Sequence, residues 1–140
     1  DLPPAAGYLE YGHVKLREQL GLLSGPVEEF QKSAEAEHNA MLSMLVDEGY
    51  LDASELEDEL ANENEIIDAL YRGLKGSPCK LMAASIVDAV GEKRTQNQPG
   101  TSNEYPNWRI PLADGDGNVV PLEQLFDNTR LQEIAAIMRG

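Results

Sequence analysis

The residues best suited to chemistry lie in one polar stretch, Asn97-Gln-Pro-Gly-Thr101 followed by Glu104-Tyr-Pro-Asn-Trp-Arg109. It gathers the sole tryptophan, a tyrosine, an arginine and two asparagines. Aromatic faces stack on sugar rings, and amide, hydroxyl and guanidinium groups match a fan of ligand hydroxyls. The same residues admit a plainer role, in which Trp108 staples the loop to the domain and Arg109 pairs with a carboxylate. From the residues alone the two readings stand level.

Other groups carry less. Asp114-Gly-Asp-Gly-Asn118 resembles the start of a calcium loop. Such a loop needs Gly at its sixth place and Glu at its twelfth. Those places hold Val119 and Leu125, so a turn is expected. His13 and His38 stand far apart, with no Cys or carboxylate at metal spacing, and read as surface or partly buried histidines. Cys79, the one cysteine, reads as a small core residue and permits no intrachain disulfide.

Helices must position these groups. Gly12 to Leu22 predicts a short helix with Val14, Leu16, Leu20 and Leu23 on its apolar side. Pro26 to Gly49 predicts a long one, because Pro suits a first turn and Glu28 and Glu29 complement the dipole. Its apolar residues, Val27 to Leu45, keep helical spacing. Asp52-Ala-Ser-Glu55 is a capping box that opens a third helix, with Leu56 and Leu60 inward. Asn64 to Leu74 predicts a fourth, and Leu122 to Met138 a last. Asp1 to Gly7 is Pro-rich and reads as extended.

Between these lies the apolar run Lys80 to Val87, suited to a buried parallel strand. Without neighbouring strands, its Leu, Met and Ala favour a helix instead, capped by Ser77 and ended by Gly91. Arg109 to Leu112 and Asn118 to Val120 flank the Asp-Gly pairs as a hairpin.

The balance of 25 acidic against 11 basic residues, net charge −14, excludes nucleic acid and anionic membrane surfaces as partners. Neutral ligands such as sugars remain compatible. With no signal peptide or spanning run, the chain reads as cytoplasmic. The start at Asp1, with no Met, reads as a cut from something longer.

Asp1-Leu-Pro-Pro-Ala-Ala-Gly-Tyr-Leu-Glu10, with Gly12-His-Val and Leu16-Arg, resembles the segment after the His-Asp step of the amylomaltases, glycoside hydrolase family 77. Asp88-Ala-Val-Gly91 and the two loop motifs resemble that family's last barrel strand and the loop behind it. The resemblance implies a mainly α C-terminal segment of a (β/α)8 barrel with a small β-hairpin. It implies helices over 1–76, the last barrel strand and active-site loop over 77–112, and hairpin plus terminal helix over 113–140. The implied activity is retaining transfer of α-1,4-glucan segments between maltodextrins, with neither metal nor organic cofactor. Asp1 matches the family's third carboxylate, which grips donor-sugar hydroxyls. Asp88 would end the eighth strand, Asn97, Pro99 and Gly100 would line the donor side, and Asn107, Trp108 and Arg109 would brace the loop. Retention needs a nucleophile and an acid/base, which the resemblance places upstream of Asp1. The rival reading is an acidic helical interaction module without chemistry.

Overall fold

The computed structural model describes residues 2–140. Seven α-helices follow one another in its order of elements: α1 (Ala5–Leu9), α2 (Gly12–Gln19), α3 (Val27–Asp47), α4 (Glu63–Gly76), α5 (Ile86–Val90), α6 (Leu122–Leu125) and α7 (Thr129–Arg139). A 3-10 turn, Ala53–Leu56, lies between α3 and α4.

The central element is α4. Ile66, Ile67, Ala69 and Tyr71 are buried along it, and its two apolar flanks serve two clusters. One flank, Ile67 and Tyr71, joins Ala6, Ala89 and Ile134, so that α1, α5 and α7 close over it. The other, Ile66 and Ala69, packs with Leu42, Leu45 and Leu51 from α3 and the turn after it. Leu9 touches both clusters. Truncating a side chain such as Ile67 to Ala would cost about 2–5 kcal/mol at a site this closed.

The helix expectations hold for α2, α3 and α4 within a few residues of their ends. The capping box forms: Asp52 Oδ1 accepts the Ser54 N–H at 2.8 Å, and Glu55 Oε2 accepts the Asp52 N–H at 2.8 Å. It opens only the 3-10 turn, and Leu60 is 73% exposed rather than inward. The expected last helix is broken at Phe126 to Asn128, where the Asn128 side chain starts α7 by accepting the Leu131 N–H at 2.8 Å. Residues 5–7, read as extended, begin α1 instead.

Three expectations are overturned. The small β-hairpin is not formed: only an isolated antiparallel bridge, Ala113 to Val119, joins its arms, and no strand occurs among the described residues. The turn itself is built locally, with Asp114 Oδ1 accepting the N–H groups of Asp116 and Asn118. Its arms have no sheet to join, and Val119 is exposed. Residues 80–87 form neither a buried strand nor a helix starting at Ser77. They run irregular to Ser85, most of them exposed, before α5 begins. A parallel strand without neighbours leaves its ladder groups unpaired, so water takes their place. Gly91 does end α5, at φ +74. Cys79 is exposed rather than buried.

Candidate functional site

The loop after α5 is held by its own side chains. Glu92, 1% exposed, takes the Arg94 guanidinium in a two-pronged pair at 2.9 and 2.7 Å and also accepts the Ala113 N–H at 3.0 Å. Arg94 reaches on to the Pro111 carbonyl. Burial opposes ionisation of Glu92, but Arg94 and the N–H groups of Arg94 and Ala113 outweigh it and hold the carboxyl below its usual range. The Tyr105 hydroxyl donates to the Thr95 carbonyl at 2.6 Å.

Asn107 closes the loop on itself. Its Oδ1 accepts the Gln98 N–H at 2.7 Å, and its Nδ2 donates to Thr101 Oγ1 at 2.8 Å. The Trp108 N–H donates to the Gln96 carbonyl at 2.7 Å, while the ring is 71% exposed. Trp108 has φ +58, in the left-handed region that disfavours a residue with a Cβ.

This loop forms one wall of a groove of about 1120 Å³, whose lining includes Tyr8, His13, Asp88, Gln98, Pro99 and Gly100. The opposite wall comes from α1 and α2. Gly7 lets α1 approach the loop, since a Cβ there would overlap the Lys93 carbonyl oxygen. Lys93 also pairs with Glu10. The Tyr8 and His13 rings stack at 5.1 Å between centroids. Burial lowers the His13 pKa, with Glu37 opposing and Arg17 adding to the shift, which favours the neutral imidazole. The groove therefore offers aromatic faces and an amide beside the charged side chains of Arg17, Glu37, Lys93 and Arg94, groups that can stack on and hydrogen-bond a polyhydroxy ligand.

Of the residues singled out in the sequence, Pro99 and Gly100 line the groove. Asn97 lies in the loop before Pro99 and Gly100, its carbonyl accepting from Thr95 Oγ1 at 2.9 Å. Asn107 braces from behind, and Trp108 and Arg109 are exposed and outside the lining. Asp1 lies outside the described residues. Asp88 sits on α5 rather than at a strand end. Tyr8, His13 and Gln98 were given no binding role of their own in the sequence, because their convergence depends on how α1 and α2 fold back on the loop. His38, read as surface or partly buried, is 2% exposed and donates from Nε2 to Glu59 at 2.7 Å. No group of three or more His, Cys, Asp or Glu that could hold a metal occurs among the described residues.

The glycoside hydrolase family 77 profile, described as 4-alpha-glucanotransferase, matches residues 1–116. The chain belongs to this family. It is 47% identical over its whole length to the 4-alpha-glucanotransferases of Mycobacterium tuberculosis and Mycobacterium bovis, of which it covers 19%. The Haemophilus influenzae 4-alpha-glucanotransferase is 27% identical over 94% of the chain. The crystal structure of amylomaltase from Corynebacterium glutamicum superposes with a TM-score of 0.85 at 38% identity, covering 99% of this chain and 20% of that one. The chain thus spans about a fifth of the length of these family members.

Proposed function

We propose that the chain is the C-terminal part of a 4-α-glucanotransferase that transfers α-1,4-glucan segments between maltodextrin acceptors with retention of configuration. The observation that carries this reading is the groove between α1–α2 and the self-braced loop. It is lined by stacked Tyr8 and His13 on one side and by Gln98, Pro99 and Gly100 on the other. Such a surface can stack on the rings of a glucan and hydrogen-bond its hydroxyls.

In this reading Asp1 is the third carboxylate, gripping donor-sugar hydroxyls. Asn97, Pro99 and Gly100 border the donor side, and Asn107, Trp108 and Arg109 keep their loop in shape. Double displacement also needs a nucleophilic carboxylate and an acid/base. Asp88 is poorly suited to either role, because both its oxygens already accept hydrogen bonds from the protein. The reading assigns both roles to the remaining four-fifths of the enzyme, which works in the cytoplasm without metal or organic cofactor. The 140-residue chain alone is then inactive.

The test is the stereochemistry of transfer by the complete enzyme. Proton NMR of the first product formed from maltotriose should show the α-anomer at the new linkage. A β-linked first product would overturn the retaining reading.

A further inference from the structure

Asp88 has both carboxylate oxygens engaged across the fold. Oδ1 accepts the Ala5 N–H at 2.8 Å, and Oδ2 accepts the Tyr71 hydroxyl at 2.6 Å. The Tyr71 oxygen in turn accepts the Ser85 N–H at 3.0 Å, which fixes the phenol from the other side. Ala5 is the first residue of α1, and first-turn N–H groups have no acceptor inside their own helix. Pro4, which precedes it, supplies no side-chain cap. A carboxylate 83 residues downstream takes that place.

Only Leu2-Pro3-Pro4 separates Ala5 from Asp1. Pro4 is buried, with φ −56 and ψ 149, the dihedrals of a polyproline segment. Consecutive prolines have little torsional freedom and act as a stiff spacer. Two prolines held at Ala5 carry the position of that anchor as far as Pro3, two residues from Asp1.

We infer that Asp88 is a positioning residue for Asp1: held by Tyr71, it pins the start of α1, four positions along the chain from the donor-gripping carboxylate. The inference rests on the reading of Asp1 given above. A merely structural Asp88 would lower stability but leave each folded molecule at full rate. A positioning Asp88 lowers the turnover of folded molecules, since a displacement of about 1 Å at a reacting group can cost on the order of a hundredfold.

The experiment uses the full-length enzyme and maltotriose disproportionation, with folded protein quantified by circular dichroism. Asp88→Ala should lower kcat by about tenfold or more with KM within about threefold, the pattern of a contact that matters in the transition state. Asp88→Asn, whose Oδ1 can still accept from Ala5, should recover most of the rate. Tyr71→Phe, which preserves the core volume, should fall between. Combining Asp88→Ala with Asp1→Asn should be no slower than Asp1→Asn alone, because both act through one group. An Asp88→Ala kcat within about twofold of wild type, or a double variant slowed by the product of the single effects, would overturn the inference. If Asp88→Ala does not fold, Tyr71→Phe and Asp88→Asn decide: a slowed Tyr71→Phe with a faster Asp88→Asn supports positioning, and two wild-type rates refute it. Where Asp1→Asn itself keeps the wild-type rate, the reading of Asp1 fails and the inference with it. Where Asp1→Asn is slow and the Asp88 and Tyr71 variants are not, the inference alone fails.

Discussion

Glu92 accepts the Ala113 N–H at 3.0 Å while holding the Arg94 guanidinium, so one buried carboxylate ties the two ends of the groove loop together. Replacing it by Gln keeps the size and removes the charge that Arg94 pairs with. Arg94 is 44% exposed, so water softens the loss, and Glu92→Gln should cost about 1–3 kcal/mol. Urea unfolding at pH 7 reads it.

The same carboxylate makes an acid-sensitive contribution. Its pKa is lowered on folding from the ordinary 4.5. A group depressed in the folded state stabilises fully above its unfolded value, and that contribution is lost as pH falls through the folded one. Stability measured from pH 6 downward should therefore begin to decline near 4.5 and keep falling below it, and Glu92→Gln should flatten that part of the profile.

Gly7 allows α1 to press against the Lys93 backbone. A methyl group there meets a carbonyl oxygen that belongs to the braced loop and cannot swing aside. Gly7→Ala should lower stability by about 1–3 kcal/mol, the usual cost of overpacking, seen as a shifted denaturation midpoint. An unchanged midpoint would show that α1 gives way easily.

Trp108 combines a left-handed backbone with a ring that is 71% exposed. Gly adopts that backbone freely, and little burial is lost with the indole. Trp108→Gly should leave Tm unchanged or raise it, since its N–H bond to Gln96 survives. A large fall in Tm would instead mean that the indole staples the loop.

The 140-residue chain should release no glucose from maltotriose, because double displacement needs a nucleophile and an acid/base that the proposal places elsewhere in the enzyme. Glucose above a buffer blank, from protein free of the full-length enzyme, contradicts this. In the full-length enzyme Asp1→Asn should cut turnover strongly with stability nearly unchanged. A kcat within a factor of about two of wild type would remove Asp1 from the transition state.

Sequence alone determined the elements whose causes are local. Apolar spacing along α3 and α4 repeats with the helix, and the Asp52 and Glu55 cap and the Asp114 turn are made by residues within four positions of each other. The motifs of the N-terminal segment and the loop were equally legible and carried the family. Tertiary structure decided whatever needed a distant partner. Residues 80–87 had the composition of a strand and the propensity of a helix, yet 80–85 became neither and only Ile86 and Val87 joined α5, because a strand exists only beside another and most of the run is exposed. The hairpin kept its turn and lost its ladder for the same reason. Asp88 to Ala5 and Glu92 to Ala113 join residues that no periodicity relates. Only the packing of α1 and α5 around α4 brings the first pair together, so the groove's shape lies in the fold while its chemistry was already written in the residues.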